Sequence, residues 1–391
     1  MDLELGEAYE KFRNEVQGFL TDHWPLETST GDAERDAQTF RKSAAAAGFL
    51  YRGFPTEYGG GGTERPVDSF MKQILREEFT KVGAPYEIQS IGVAMFAPTL
   101  LHWGSESQKR RFLPGTLSGE IKWCQGYSEP GAGSDLASLR TRGEIVGKDW
   151  VISGQKIWTS GAHEADYMFI LVRTDPDAPK HSGISYLLVD MKSPGITVRP
   201  LRQVHGYAGF NEVFLDNVRT PADWMLGDTG EGWKVSRTTL RFERAFINSP
   251  DMMDDLVRKL KADAHRILRH GRPLMEDPVF REKLSIVEEY SLGHRYSVHR
   301  QNAMDAAGED PGISTLCNKL TGTELVGMRI AELWQDVVGD EGALMPGPDT
   351  TYDDVDAVYW ILRSIGSSIA GGTSNIQRSI IAQRGLGLPR D

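Results

Sequence analysis

The sequence predicts an α+β chain in three parts: a helical domain at residues 1–118, a β domain at 119–228 and a second helical domain at 229–391. Three observations predict it. Apolar residues recur at helical spacing to about residue 115, the period shortens to that of strands between about 120 and 225, and helical spacing returns from Gly232. Such a change of period marks a change of layer, because a helix buries a stripe and a strand buries alternate residues.

In the first part, Tyr9, Phe12, Val16, Phe19 and Leu20 share one helical face, and the stretches Phe40 to Leu50 and Phe70 to Phe79 repeat the pattern. Pro55-Thr56-Glu57-Tyr58-Gly59-Gly60-Gly61-Gly62 interrupts it. No Gly-Lys-Ser/Thr follows the glycines, so they read as a flexible loop rather than a phosphate cradle. Strands are predicted at Tyr167 to Val172, Ile184 to Val189, Ile196 to Val198 and Glu212 to Leu215, with Gly- and Pro-containing turns between them. Gly271-Arg272-Pro273, Gly308-Glu309-Asp310-Pro311-Gly312 and the loop from Gly342 to Asp349 interrupt the last helical part, and no internal repeat is present.

With 44 Lys and Arg against 55 Asp and Glu, a net charge of -11 disfavours a nucleic-acid-binding surface. Cys124 and Cys317 are too few for a disulfide framework or a thiolate metal site. His163, His205 and the other histidines lack the spacing of metal ligands, and no metal is expected. The acidic start, Met1-Asp2-Leu3-Glu4-Leu5-Gly6-Glu7, does not read as a signal peptide. No apolar run is long enough for a bilayer, so a cytoplasmic protein without a membrane partner is expected.

The most informative stretch runs from Trp123 to Gly161. Glu129-Pro130-Gly131-Ala132-Gly133-Ser134-Asp135 is a small-residue turn, and Gly154-Gln155-Lys156-Ile157-Trp158-Thr159-Ser160-Gly161 sets a large flat side chain before two hydroxyls. Taken singly, Trp158 reads as a core aromatic and Ser134 as a turn residue. Their joint spacing suits a flat heteroaromatic ring with polar edges instead.

On these motifs the sequence resembles the acyl-CoA dehydrogenase flavoproteins. The resemblance implies a helical domain, a β-barrel and a four-helix bundle in that order. It also implies that Gln125, Tyr127, Ser128, Trp158 and Ser160 line the isoalloxazine of FAD, that Thr373 and Asn375 touch the cofactor, and that Ser134 lies near the acyl-CoA. The implied reaction is α,β-dehydrogenation of an acyl-CoA thioester to the trans-2-enoyl-CoA, reoxidised by an electron-transfer flavoprotein. That chemistry needs a base for the α proton, a hydride acceptor and donors for the developing enolate oxygen.

The segment Ile369-Ala370-Gly371-Gly372-Thr373-Ser374-Asn375-Ile376-Gln377-Arg378 resembles the family's Tyr-Glu-Gly-Thr-x-Gln-Ile-Gln-Arg motif. The Glu that serves as base in many members is Gly371 here, whose N–H is left as a donor to the thioester oxygen. Glu243-Arg244 resembles the Glu-Arg pair that carries the base in the isovaleryl-CoA dehydrogenases, so Glu243 is the expected base and Arg244 a substrate contact. By residue type alone Glu243 would be a water-facing helix glutamate. The freed volume at Gly371 suits a branched or steroid-type acyl group.

The family's Arg-x-x-Phe-Gly segment is represented only by Ile267-Leu268-Arg269-His270-Gly271, and Asp340 and Glu341 stand where a diphosphate would approach. A partner chain that completes the FAD site, as in the heteromeric bacterial branch acting on steroid and other bulky acyl-CoA substrates, is one expectation. A homo-oligomer, tetrameric in this family, is the other. Two alternatives stay open at this level: a flavin-dependent monooxygenase of the same fold, and a subunit that completes its partner's FAD site.

Overall fold

The computed structural model describes residues 6–26, 28–64, 69–247, 249–339 and 357–389. The chain divides into two compact units, Met1–Arg199 with Asn211–Phe242, and Pro200–Phe210 with Glu243–Asp391.

The first unit opens with α1 (Glu7–His23), α2 (Ala33–Ala46) and α3 (Ser69–Val82). A π-helical turn at Gly92–Phe96 then runs into α4 (Ala97–Trp103), and α5 (Glu106–Ser118) follows. Polar side chains satisfy the free amides at the helix starts. Asp32 accepts from Glu34 N and Arg35 N, and Ser105 and Gln108 form a reciprocal capping box. Phe12, Val16 and Leu20 are buried, so the apolar stripe of α1 is its core face.

The glycine run is a packed turn, not the flexible loop expected. The amides of Gly60, Gly61 and Gly62 donate to the carbonyls of Pro55, Tyr51 and Phe54. A β-carbon on Gly61 would stand 2.3 Å from the Leu50 carbonyl oxygen, so only glycine lets these backbones meet.

Next come β1 (Trp123–Gly126), β2 (Arg142–Val146), β3 (Asp149–Lys156), β4 (Tyr167–Arg173), β5 (Ile184–Asp190), β6 (Ile196–Leu201), β7 (Phe210–Pro221) and β8 (Met225–Leu226). Among the described residues they form one mixed sheet in the order β6-β7-β3-β2-β4-β5-β8, with β1 parallel to β4 off that path. The expected β-barrel is therefore incorrect: the path ends at β6 and at β8, and the sheet is open. Closure requires a continuous ladder between the end strands at matched tilt and stagger. β8 has two residues, both paired with Leu187 and Tyr186 of β5, and the chain then passes to a helix.

β4 and β5 are buried on both faces, which is why their sequences read as unbroken apolar runs. Met168, Ile170 and Val172 pack with Trp150, Ile152, Leu187 and Val213. On the opposite face Phe169 stacks on Phe96, with ring centroids 5.4 Å apart. α6 (Gly232–Ile247) joins this unit through Thr239 to Thr99 of α4 at 3.1 Å and Trp103 Nε1 to Thr238 at 3.0 Å.

The second unit is a helix bundle of α7 (Pro250–Arg266), α8 (Pro278–Ala306), α9 (Ser314–Leu320), α10 (Met328–Val338), α11 (Ala357–Ser367) and α12 (Ser374–Ile380). α9 continues through the π-helical stretch Thr321–Gly327 into α10. Leu256 and Leu260 of α7, Phe280 and Leu284 of α8, and Ile330 and Trp334 of α10 form its core, against which Trp360 and Ile361 pack. The segment 200–210 joins it through His205, whose ring lies 4.6 Å from that of Tyr359. Among the described residues no helix is long and apolar enough to cross a membrane.

Candidate active site

Two adjoining segments of the first unit carry five of the seven cofactor residues the sequence singles out. β1 holds Gln125 half-buried and leads into buried Tyr127, whose ring meets Phe169 and Tyr186 edge-on. Ile157, just past the end of β3, donates its N–H to Ser128 O at 3.0 Å, which sets 157–160 against 125–128. Thr159 and Asn211 exchange backbone hydrogen bonds at 3.0 and 3.1 Å, and Asn211 Nδ2 adds a third to Thr159 O at 2.9 Å.

Between these anchors Trp158 is held at a φ of +60° with 57% of its surface exposed. A bulky residue in the left-handed region is uncommon, and anchors on both sides keep it there. The indole is thus a platform and not a core aromatic. With half-buried Ser160 two residues on and half-buried Ser128 tied to Ile157, the residues present fit the isoalloxazine of FAD: an aromatic face with hydroxyl groups beside it.

Behind this surface lies a pair that the sequence reading missed. Lys156 Nζ reaches Glu129 Oε1 at 2.8 Å and Tyr127 O at 3.1 Å, and the lysine side chain is wholly buried. Glu129 also accepts from Thr141 N at 2.9 Å and Arg140 N at 2.7 Å. Burial alone would raise the Glu129 carboxyl, but Lys156 and the hydrogen bonds outweigh it and hold it below the usual range. Burial pushes the Lys156 ammonium down to about 8, against the pull of Glu129. The two shifts send one proton in opposite directions. Three donors on the carboxylate and two acceptors on the ammonium keep the pair ionic at neutral pH.

Glu129 also fixes the turn that carries Ser134. Its backbone exchanges two 3.0 Å hydrogen bonds with Ala132, and Ser134 is exposed beyond them. Asp135 is held by Lys180 Nζ at 2.7 Å. Nearby, a cavity of about 570 Å³ is lined by Arg140, Arg142, Arg173 and Lys180. Arg173 is committed to the carbonyls of Ala137, Leu139 and Lys180, Arg142 to Glu144 and Lys180 to Asp135, which leaves Arg140 as the cavity's better-placed cation.

In the second unit, Glu243 on α6 is buried, contrary to its reading by residue type. Gly371 and Gly372 have φ of +64° and +94°, and Thr373 caps α12 by accepting from Ile376 N at 3.2 Å. Asn375 is exposed in the first turn of α12. Arg269 donates to the Asp336 carbonyl, and Lys283 Nζ lies 2.7 Å from the Asp336 carboxylate. The Arg244 side chain, Asp340, Glu341 and the loop from Gly342 to Asp349 lie outside the described residues.

A chain of helical, sheet and helical parts with an exposed indole between hydroxyls has the class of arrangement expected of a flavoenzyme. Three family profiles match it: acyl-CoA dehydrogenase N-terminal domain at residues 6–120, middle domain at 124–218 and C-terminal domain at 230–386. It is 40% identical over 315 residues to the acyl-CoA dehydrogenase IpdE1 of Mycobacterium tuberculosis, across 81% of this chain and 79% of that protein. Among solved structures it is similar to the Tcur3481-Tcur3483 steroid ACAD, at a TM-score of 0.77 and 30% identity over 100% of both chains. It is likewise similar to the ChsE4-ChsE5 complex from Mycobacterium tuberculosis, at 0.75 and 29% over 100% of both. The chain belongs to the acyl-CoA dehydrogenase family. Its activity is the FAD-dependent α,β-dehydrogenation of an acyl-CoA thioester.

Proposed function

We propose that Glu243 removes the α proton, that the Gly371 N–H polarises the thioester carbonyl, and that the acyl group is bulky and of steroid type. The observation that carries this is a pair of complementary facts. The acid on α6 is buried, while the turn before α12 presents glycine where a carboxylate base stands in many family members. A carboxylate away from water is a better base than an exposed one.

Gln125, Tyr127, Ser128, Trp158 and Ser160 would hold the isoalloxazine, with Thr373 and Asn375 as further contacts. FAD, when bound, supplies the acceptor for the β hydride. Ser134 and Arg244 would contact the thioester arm, and Arg140 would bind a phosphate of CoA. The names of the similar structures, one a steroid ACAD and one a two-component complex, support a bulky acyl group and a related partner subunit. An electron-transfer flavoprotein is the proposed acceptor, and the cytoplasm the proposed location.

Glu243→Gln tests the assignment. The variant should retain flavin at the wild-type level but lose anaerobic bleaching by a sterol-ring acyl-CoA. Unchanged bleaching overturns the base. Wild-type bleaching by straight-chain but not ring-bearing acyl-CoA overturns the substrate class.

A further inference from the structure

The turn that carries Gly371 is framed from outside by two charged side chains of another helix. Lys319 of α9 is 1% exposed, and its ammonium donates to the Ser368 carbonyl at 2.9 Å. The same carbonyl accepts from Ser374 N at 3.1 Å and faces the Ser374 hydroxyl at 3.4 Å. One oxygen at the end of α11 thus gathers both ends of the 368–374 loop. On the far side, Glu324 in the π-helical stretch pairs with Arg378 of α12, and the neighbouring Ser374 hydroxyl, then Arg378, holds its carboxyl below the usual range.

A buried lysine on a backbone carbonyl is costly unless it fixes something. Burial lowers its basicity, partly offset by the negative charge of Glu324. Gly371 and Gly372, at φ +64° and +94°, offer no side chain of their own to hold the loop, so its shape depends on how its ends are tied.

We propose that Lys319 and Glu324 are positioning residues for the reaction: they fix Ser368 and Ser374, and so set the direction of the Gly371 N–H. This rests on the role given to Gly371 above. Neither residue contacts substrate in this assignment. Their effect passes through the loop they tie.

The test uses the flavin-loaded enzyme with any partner subunit it requires, and compares wild type with Lys319→Met. Amide exchange of a peptide spanning 369–374 should rise about tenfold, the effect of losing one charge-assisted hydrogen bond on a local opening, while peptides of α7 and α8 keep their protection. In steady state, kcat should fall about tenfold with KM and flavin content unchanged, since the lost interaction is realised in the transition state. Ser374→Ala should move both readouts the same way by less, and it carries the test if Lys319→Met does not fold. Unchanged exchange at 369–374, or a rise spread over the whole bundle, overturns the proposal. A local rise with unchanged kcat overturns the role of Gly371 and leaves that of Glu243 standing, since bleaching of Glu243→Gln is read separately.

Discussion

Lys156 Nζ and Glu129 Oε1 lie 2.8 Å apart, with none of the lysine side chain and 9% of the glutamate side chain exposed, and this contact ties together the two halves of the flavin motif. One partner precedes the Ser134 turn. The other precedes the Trp158 platform by two residues. Displacing either would move both the surface expected under the ring and the loop expected near the thioester.

Removing one member of such a pair leaves the other charge buried without its partner, at a cost of about 3–5 kcal/mol. Lys156→Met should therefore lower the urea midpoint of the flavin-free chain and reduce flavin content. The double variant Glu129→Gln/Lys156→Met should lose less stability than Lys156→Met alone, because no charge is stranded. Equal losses in the two would show that the pair contributes only packing.

The same pair predicts an acid-side stability change. Glu129 is held below its ordinary pKa of 4.5 in the fold, so the unfolded chain binds this proton first as pH falls. Its contribution is complete above about 4.5 and is lost progressively below that value, down through the lowered folded pKa. Stability measured by urea unfolding from pH 6 to 3 should fall less steeply for Glu129→Gln than for wild type. Parallel slopes would place the lowered carboxyl elsewhere.

The sequence made the fold legible where one residue's environment depends on near neighbours. The stripe on α1 and the apolar runs of β4 and β5 announced helix and strand correctly, while the burial of both faces of those strands emerged only in the fold. Barrel closure was not legible, because it depends on whether β6 and β8 meet, and no local period encodes the length of a last strand. Nor was the 129–156 pair: each residue sat in a quoted motif, but an acid in one half and a base in the other announce a contact only once Ile157 is bonded to Ser128. Glu243 shows the converse. Its residue type predicted water, and its neighbours on the folded chain bury it.

The left-handed turn before α12 predicts a ranking of substitutions. At a φ of +64°, a β-carbon on Gly371 costs about 1–2 kcal/mol. Gly371→Ala should lower the denaturation midpoint accordingly, and Gly371→Asn should lower it less, because asparagine tolerates this conformation better. Alanine that cost no more than asparagine would mean that the turn relaxes away from this geometry.

Trp158 gives the sharpest division between stability and function. Its φ of +60° strains any side chain by about 1–2 kcal/mol, and Trp158→Gly would relieve that strain. The same substitution loosens the unfolded chain, which offsets about 1 kcal/mol of the gain. The covered part of the indole, with 57% of the residue exposed, is still roughly 100 Å², and losing it costs about 2–3 kcal/mol. The flavin-free variant should therefore lose only about 2 kcal/mol relative to wild type, while its flavin content collapses because the aromatic face is gone. Trp158→Phe should recover part of the flavin at similar stability. A flavin-free glycine variant that unfolds much earlier would make the indole a structural support, and full flavin retention in it would remove the indole from the cofactor site.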